Sequence, residues 1–328
     1  MTEKLEKDGL TVGVISLGCD KNRVDSEKML AKIKEKHELT GDVEKADVII
    51  VNTCAFLNSS RKESVEEILA AAEFKKSGSA KKLIVTGCLP QKFLKETVNG
   101  FPEADAFLGV SDYDKINEVI ERITAGERVT EVGAPKGECG TKRVLTTDGY
   151  AYLKIADGCD NHCTYCLIPK IRGKYRSVPS EDLIAEAENL GDVKELILVA
   201  QDVAAYGKDL VPRITLTELI RKLSSLKNVS GIRLLYCYPE NITEELIHEM
   251  AVNAKVIRYI DVPLQHASDS VLKRMNRKGT GAEYLALIEK LRREVSGIAI
   301  RSTFITGFPG ETEEDFNALI DFLKTAKL

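Results

Sequence analysis

Short β-rich runs and amphipathic helical segments alternate along almost the whole of this chain. In the first half the predicted strands are TVGVISLGC (11–19), ADVIIVNTC (46–54), KKLIVTGC (81–88) and ADAFLGV (104–110). Strands that alternate with helices predict a parallel sheet covered on both faces. We therefore predict an α/β fold, with a flavodoxin-like parallel sheet in the N-terminal half.

The second half resumes the alternation after a stretch of different character. Residues 126–149 are rich in turn residues and lack a sustained period, which is typical of a domain boundary. We predict two domains, 1–145 and 146–328, because 328 residues exceed the usual size of one core. Five strand–helix units in the second domain predict a barrel or partial barrel that binds ligands at the C-terminal ends of its strands. The chain ends within a helical pattern, so we expect this barrel to be incomplete.

Composition narrows the class of protein and its compartment. The chain is 43% apolar and 30% charged, which is ordinary for a globular protein, and no apolar run reaches the ~18 residues of a membrane span. The charged N-terminus does not resemble a signal peptide, so we expect a cytoplasmic protein without a membrane partner. A net charge of −4 argues against broad binding of nucleic-acid phosphates. In a reducing compartment, the eight cysteines are expected to bind metal or perform redox chemistry rather than form disulfides.

Three cysteines lie in one short stretch, DGCDNHCTYC (157–166), after the first predicted strand of the second domain. Cys159, Cys163 and Cys166 could hold three irons of a [4Fe–4S] cubane and leave the fourth iron open to a reactant. Zinc is an alternative that needs a fourth ligand, and His162 is the candidate, although its adjacency to Cys163 disfavours one shared tetrahedron. Unliganded cysteines are the third interpretation.

A second set of cysteines is dispersed in sequence. Cys19, Cys54 and Cys88 each end a predicted strand of the N-terminal sheet. The C-terminal ends of neighbouring parallel strands meet at one edge, so these thiols are predicted to converge there as a second metal site. Helix starts would favour thiolates there, and Asn22 is a candidate N-cap after Cys19. The alternative is that these are three buried thiols in a core, where cysteine is common.

The stretch CDNHCTYC is similar to the Cx3CxΦC motif of the radical S-adenosylmethionine (SAM) superfamily, with Tyr165 as the aromatic residue. This resemblance implies a [4Fe–4S] cluster on Cys159, Cys163 and Cys166, with the open iron binding the amino and carboxylate groups of SAM. It also implies reductive cleavage of SAM to a 5′-deoxyadenosyl radical that abstracts hydrogen from an unactivated carbon. The expected fold is a partial (β/α)6 barrel with the cysteine loop after its first strand.

The whole chain resembles the radical SAM methylthiotransferases, whose N-terminal domain holds a second three-cysteine [4Fe–4S] cluster. The stretches that resemble the RimO branch of this family are SLGCDKNRVDSE, NTCAFLNSS, GCLPQKF, LLYCYPE, DVPLQHASDSVLKRMNR and TFITGFPGET. That branch places a methylthio group on the β-carbon of an aspartate in the small-subunit ribosomal protein numbered twelve. The implied cofactors are therefore two [4Fe–4S] clusters and SAM, with Cys19, Cys54 and Cys88 as ligands of the second cluster.

The resemblance also implies partners and exposes a departure. The partners are the ribosomal protein, on the ribosome or free, a reductant such as flavodoxin or ferredoxin, and a sulfur donor; we expect a monomer. Family members carry a C-terminal β-barrel module, termed TRAM, which has no counterpart here, so we expect a truncated chain.

Two rival functions stay open. One is modification of an adenosine in tRNA, although that branch has Gln-Ser-Gly-Ser where this chain has residues 265–268, and the other is a non-catalytic Fe–S or zinc sensor.

Candidate SAM contacts come from the ends of the predicted barrel strands. Gln201 and Asp202 end the second strand, Gln265 and Ser268 the fourth, and Gly307 the fifth, and Tyr165 adds an aromatic side chain from the cysteine loop. Turn formation or helix capping explains each of the strand-end residues equally well. We assign no catalytic residue from the sequence.

Other residues are interpreted more plainly. The basic runs KIRGKYR (170–176) and LKRMNRKG (272–279) suit a solvated face, with contact to substrate or rRNA phosphate as the functional alternative. We interpret Cys139 and Cys237 as structural. His266, on the predicted rim, is the histidine of functional interest.

Overall fold

The computed structural model describes residues 9–78, 80–137 and 140–328. The strands are β1 (Thr11–Ser16), β2 (Glu38–Thr40), β3 (Val48–Thr53), β4 (Lys82–Gly87), β5 (Ala106–Leu108), β6 (Val129–Glu131), β7 (Tyr150–Lys154), β8 (Ala156–Asp157), β9 (Arg176–Ser177), β10 (Glu195–Val199), β11 (Ile232–Leu234), β12 (Val256–Asp261) and β13 (Ala299–Arg301).

The α-helices are α1 (Asp20–Ile33), α2 (Asn58–Ser77), α3 (Cys88–Lys92), α4 (Leu94–Gly100), α5 (Ile116–Thr124), α6 (Ile168–Ile171), α7 (Ser180–Glu188), α8 (Leu216–Ser224), α9 (Glu244–Val252), α10 (Asp269–Arg274), α11 (Gly281–Glu294) and α12 (Glu313–Ala326). Short 3-10 helices cover Val43–Lys45, Tyr113–Lys115, Val203–Ala205 and Pro239–Asn241.

The N-terminal sheet is parallel and has the strand order β2-β1-β3-β4-β5-β6. Its first five strands follow the flavodoxin-like order 2-1-3-4-5, which confirms the predicted fold class. The edge strands β2 and β6 were not predicted. Each has three residues, and β6 lies within the stretch interpreted as a linker.

Apolar side chains explain why β3 lies at the centre of this sheet. All six of its residues are buried. Val48 and Ile50 belong to a core cluster with side chains of α1 and α5, whereas α2 packs against β3 and β4 and contributes none of that cluster. A strand buried on both faces is typical of a parallel α/β sheet.

The second sheet is also parallel, with the strand order β13-β12-β11-β10-β7. Helices α7, α8, α9 and α11 connect its successive strands, as expected for part of a (β/α) barrel. A separate antiparallel pair, β8 and β9, flanks the cysteine loop, with Asp157 paired to Arg176. The sheet thus presents the loop of residues 158–166 shortly after its first strand.

The chain divides by its contacts into two compact units. One unit runs to Thr146 and also includes Lys170–Gly173, and the other consists of Thr147–Pro169 and Lys174–Leu328. The short segment Lys170–Gly173 follows the cysteine loop in sequence but belongs to the N-terminal unit, which the sequence pattern did not indicate. Among the described residues, no helix is both long and apolar enough to cross a membrane.

Candidate functional site

The cysteines of the N-terminal unit gather at one edge of its sheet. Strands β1, β3 and β4 are neighbours, and Thr53 pairs with Gly87, so Cys54 and Cys88 each follow one member of a paired position. Cys19 lies just beyond β1, at the N-cap of α1. Cys54 and Cys88 are 7% and 6% exposed, whereas Cys19 is exposed to solvent. Both Cys19 and Cys54 act electrostatically on Cys88, as expected of neighbouring sulfurs.

Two glycines allow the loops at this edge to approach one another. Gly18 has φ +86°, and a Cβ there would lie 2.7 Å from Cys54 Cβ and 3.0 Å from Cys54 Sγ. Gly87 has φ +96°, and a Cβ there would lie 2.6 Å from the Thr53 carbonyl oxygen. Only glycine adopts such backbone angles readily and leaves this space free. The close approach of the three cysteine loops therefore depends on Gly18 and Gly87.

The side chain of Asn22 links two of these loops. Its Nδ2 donates to the Leu17 carbonyl (3.1 Å) and the Thr53 carbonyl (2.9 Å), while its Oδ1 lies 3.7 Å from Cys88 Sγ. The prediction that Asn22 caps α1 is wrong. The helix begins at Asp20 with Cys19 as N-cap, so Asn22 is its third residue, and the Asn22 amide contacts the cysteine loops.

A buried arginine completes this cluster of contacts. Arg172 is 2% exposed, and its Nη2 donates to Asn22 Oδ1 (2.6 Å) and Asp25 Oδ2 (2.8 Å). Burial raises the pKa of the Cys88 thiol to about 12, and the positive charge of Arg172 opposes that rise. Without a metal, Cys88 is therefore a protonated thiol at neutral pH.

The barrel cysteines lie together in the loop that follows β8. The amide of Cys166 donates to the Cys163 carbonyl (3.0 Å), which forms a tight turn between the two residues. The Sγ atoms of Cys159 and Cys166 accept backbone N–H groups from Asn161 (3.5 Å) and Ile168 (3.4 Å). Such N–H···S contacts are available to stabilise thiolate ligands. Burial raises the pKa of Cys159 to about 11 and also raises that of Cys166.

A tyrosine that the sequence pattern did not single out contacts this loop. The Tyr238 hydroxyl lies 3.1 Å from Cys163 Sγ, and the guanidinium of Arg277 stacks 3.7 Å from the centre of the Tyr238 ring. Both side chains are almost buried, at 7% and 6% exposure. Tyr238 lies beyond the end of β11, in the run LLYCYPE, where its adjacency to Cys237 was the only signal.

The donor chemistry of both cysteine sets fits an iron–sulfur cubane. The ligands of one ion must converge on one point, whereas a cubane places each of three thiolates on a different iron. Within residues 9–78, 80–137 and 140–328, no three side chains of His, Cys, Asp or Glu converge as ligands of one ion. His162, the candidate fourth zinc ligand, has φ +52°, and its carbonyl accepts Asn276 Nδ2 (3.0 Å).

Gln201, a candidate SAM contact, has one hydrogen-bonded and one unsatisfied polar atom in its side chain. Its Nε2 donates to Asp157 Oδ1 (3.1 Å), and Asp157 also pairs with the buried Lys154 (3.4 Å). Gln201 Oε1 is buried and has no hydrogen-bond partner among the described protein atoms. A buried acceptor without a protein partner is unfavourable, so this oxygen is free to accept a hydrogen bond from a bound group.

The carboxylate of Asp202, another candidate, is held by hydrogen-bond donors of the protein. Its carboxylate accepts hydrogen bonds from Asn241 Nδ2 (2.6 Å), the Tyr238 amide (3.3 Å) and Asn161 Nδ2 (3.5 Å). Burial raises its pKa, and these donors oppose the rise. Because Asn161 belongs to the cysteine loop, Asp202 holds that loop against the β11 end of the sheet.

The other candidates on the barrel strands follow β12 and β13 and differ in their contacts. Gln265 has φ +74° and forms a parallel bridge with Phe304. Ser268 is the N-cap of α10, and its hydroxyl bonds to Asp315. Gly307 has φ +74° and open space at its Cβ position, so it is not required by a close contact.

The remaining residues of interest have protein partners. Tyr165 packs edge-on against Phe308 at 6.3 Å between ring centres, and burial raises its pKa. His266 is fully buried, with Nδ1 accepting the Ser268 amide (3.0 Å) and Nε2 lying 3.3 Å from Glu311 Oε1. It therefore supports the turn around residue 268 rather than a ligand.

The basic runs differ from the solvated faces predicted for them, whereas the burial of Cys237 suits a structural residue. Arg172 and Arg277 are buried, so the basic runs do not form the uniformly solvated faces predicted from their charge. Arg274 pairs with Asp315 at 3.2 Å. Cys237 is fully buried, in keeping with a structural role. Cys139 lies outside the described residues.

Comparison with known proteins covers both halves of the chain. Residues 153–323 match the family described as the Radical SAM superfamily, and residues 11–109 match the Uncharacterized protein family UPF0004. A relative from Lachnoclostridium phytofermentans, named ribosomal protein uS12 methylthiotransferase RimO, is 52% identical over 316 residues, which are 94% of this chain and 72% of that protein. This chain belongs to the RimO family.

Further RimO relatives agree. The protein of that name from Clostridium botulinum is 49% identical over 327 residues, covering 97% of this chain and 72% of its own length. The one from Clostridium tetani is 51% identical over 322 residues, with coverage of 96% and 72%. Membership of the RimO family makes this chain a radical SAM methylthiotransferase, and the chemistry that family uses rests on SAM and an iron–sulfur cluster.

A solved structure supports the fold. The cobalamin-dependent SAM radical enzyme OxsB, with aqua-cobalamin and SAM bound, superposes with a TM-score of 0.66 at 13% identity. The match covers 96% of this chain and 52% of the OxsB chain. At this identity the likeness concerns the fold alone.

Proposed function

We propose that this RimO-family chain replaces a hydrogen on the β-carbon of an aspartate in ribosomal protein uS12 by a methylthio group. The observation that carries the proposal is the presence of two separate sets of three cysteines, one within a single loop and the other at neighbouring strand ends. A β-carbon has no nucleophilic character, so its C–H bond must first be broken by a radical, and a sulfur source must then supply the new C–S bond.

In the barrel unit, Cys159, Cys163 and Cys166 would hold one [4Fe–4S] cluster. That cluster, when bound, supplies reductive cleavage of SAM and hence removal of the hydrogen atom as 5′-deoxyadenosine. Around it, Tyr238 bonds to the sulfur of Cys163, and Asp202 holds the loop through Asn161. These side chains fix the orientation of the ligand loop.

In the N-terminal unit, Cys19, Cys54 and Cys88 would hold a second [4Fe–4S] cluster with an open iron for the sulfur to be transferred. Cys19 is exposed while Cys54 and Cys88 are buried, so the site is open on one side. A second SAM would supply the methyl group and leave as S-adenosylhomocysteine. The protein's part is to hold the three thiolates and exclude water from the buried side.

Contacts to SAM are proposed for the strand ends of the barrel sheet. Gln201 is the best supported, because its Oε1 is a buried acceptor suited to an amino group. Gln265, Ser268, Gly307 and Tyr165 are weaker candidates, and Asp202 is proposed to act by holding the cysteine loop. We further propose a cytoplasmic protein that takes electrons from a flavodoxin or ferredoxin.

Mass spectrometry of the substrate tests this proposal. The anaerobically reconstituted protein is incubated with SAM, dithionite and sulfide, together with either purified uS12, small ribosomal subunits or unmodified tRNA. We expect 5′-deoxyadenosine and a methylthio group on one aspartate of uS12. Methylthiolation of tRNA adenosine instead of uS12 would contradict the assigned substrate, and absence of 5′-deoxyadenosine would contradict the radical mechanism.

A further inference from the structure

A buried positive charge lies beside the cysteines of the N-terminal unit. Arg172 is 2% exposed, and its Nη2 contacts both Asn22 and Asp25 of helix α1. It comes from Lys170–Gly173, the segment that belongs to this unit although most of its sequence neighbours do not. A long arginine side chain is seldom buried unless its charge is paired.

Asn22 connects this charge to a cysteine sulfur. Its Oδ1 accepts a hydrogen bond from the Arg172 guanidinium (2.6 Å) and also lies 3.7 Å from Cys88 Sγ. The amide cannot turn over, because its Nδ2 donates to the carbonyls of Leu17 and Thr53. The carboxamide oxygen therefore faces Cys88, and a thiolate there would face an oxygen that offers it no proton.

A nearby positive charge would stabilise a cluster held by these cysteines, above all in its reduced form. A cluster held by three thiolates carries net negative charge, and reduction adds one more electron. Arg172 and Asp25 carry opposite charges, but Arg172 acts more strongly on the Cys88 thiol than Asp25 does. Of these two charges the guanidinium therefore has the larger effect on Cys88, and its burial limits screening by water.

We propose that Arg172 is a positioning and charge-balancing residue of the N-terminal cysteine site, which raises the reduction potential of the cluster bound there. This inference rests on the proposed function in one respect, namely that Cys19, Cys54 and Cys88 hold an iron–sulfur cluster. Net charge around a cluster and hydrogen bonds near its sulfurs are established determinants of potential. Asp25 acts in the opposite direction and holds the guanidinium in place.

A purely structural ion pair predicts something different. Loss of either partner of a buried ion pair destabilises the fold, whichever charge is removed. A charge-balancing role instead predicts opposite shifts in potential. Removal of the positive charge makes the cluster harder to reduce, and removal of the negative charge makes it easier to reduce.

The test uses the full chain with the barrel cluster removed by Cys159→Ala, Cys163→Ala and Cys166→Ala, so that only the N-terminal cluster is observed. Its midpoint potential is measured by redox titration with electron paramagnetic resonance detection, in the absence of SAM and substrate. We expect Arg172→Gln to shift the potential downward and Asp25→Asn to shift it upward. Arg172→Lys should restore most of the potential lost in Arg172→Gln, because it keeps the charge.

Arg143→Gln serves as the matched control, because Arg143 also pairs with a buried carboxylate of α1, Glu27 (2.9 Å), and neither residue is among the charges that act on Cys88. Its potential should equal that of the parent. The double variant Arg172→Gln/Asp25→Asn avoids an unpaired buried charge and should lie between the two single variants.

The outcomes separate the two hypotheses. A parent variant that binds no cluster would overturn the proposed cluster site and this inference with it. A bound cluster whose potential is the same in Arg172→Gln and Asp25→Asn, or moves in the same direction in both, would overturn the role of Arg172 alone.

Discussion

The hydroxyl of Tyr238 contacts the sulfur of a barrel cysteine. It lies 3.1 Å from Cys163 Sγ, in a setting that is 7% exposed. We predict that Tyr238→Phe lowers the rate of reductive SAM cleavage by on the order of 10-fold, because residues that orient metal ligands typically contribute that much. The measurement is 5′-deoxyadenosine formed per minute by reconstituted protein.

Tyr206→Phe is the control for this change. The Tyr206 hydroxyl is also buried, but it donates to the Val178 carbonyl (2.8 Å) and not to a cysteine. Equal losses in both variants would show that Tyr238 acts through general stability, and an unchanged rate in Tyr238→Phe would show that the contact has no role in the chemistry.

Gly87 is predicted to be indispensable to the N-terminal cysteine site. At φ +96°, an alanine would be strained, and its Cβ would lie 2.6 Å from the Thr53 carbonyl oxygen. We expect Gly87→Ala to lower the free energy of unfolding by on the order of 1–3 kcal/mol and to reduce iron retained by Cys54 and Cys88. Chemical denaturation and iron analysis measure the two effects.

Gly100→Ala provides the comparison, since a Cβ at Gly100 would have no heavy atom within 4 Å. That variant should be at least as stable as the parent and bind the same amount of iron. A Gly87→Ala protein with unchanged stability and iron content would contradict the importance of this backbone position.

Burial of the thiols predicts a pH dependence of cluster assembly. Burial raises the pKa of Cys159 to about 11 and that of Cys88 to about 12, so both are protonated in the apo protein near neutral pH. Iron binding must displace these protons, and affinity therefore rises as pH rises toward these values. We expect tighter iron loading at pH 8.5 than at pH 7, measured by competition with a chelator of known affinity at each pH. Equal loading would contradict the protonated state.

At the residue level, the sequence revealed the cysteines but not their neighbours. The close spacing of Cys159, Cys163 and Cys166 can be read directly from the sequence. The positions of Cys19, Cys54 and Cys88 at the ends of predicted strands can also be read from it. The contacts of Asn22 and Tyr238 with sulfur arise only when distant segments meet. Asn22 in particular resembled a helix cap because cap preference is local, whereas the observed start at Asp20 depends on the loop geometry.

At the level of elements, helix α11 offers a clear test of local stability. Thr280 and Glu283 form a capping box, in which the Thr280 hydroxyl accepts the Glu283 amide (3.2 Å) and the Glu283 carboxylate accepts the Thr280 amide (2.9 Å). Thr280→Ala should lower the free energy of unfolding by about 1 kcal/mol, measured by urea denaturation. Thr280→Ser, which keeps the hydroxyl, should retain most of the stability; equal losses would exclude capping as the cause.

The predicted strands β3, β4, β7 and β10 are close to those observed, because buried runs of β-branched residues give a strong signal. Strands β2 and β6 were missed because β2 closely follows the helical pattern of α1, whereas β6, which pairs with β5, lies in the turn-rich stretch interpreted as a linker. The placement of Lys170–Gly173 with the N-terminal unit also depends on tertiary contacts, above all those of Arg172.

At the level of the whole molecule, the proposed activity requires two different iron–sulfur clusters in one chain. One set of ligands is local in sequence, and the other is assembled from three strand ends of a parallel sheet. Each set contains three cysteines, which would leave one iron of each cubane free to bind a reactant.

Iron and acid-labile sulfide per chain, measured after anaerobic reconstitution, test this claim most directly. We predict about eight irons for the parent chain and about four for each variant in which one set of three cysteines is replaced by alanine. About four irons in the parent, with no loss when Cys19, Cys54 and Cys88 are replaced, would contradict the account.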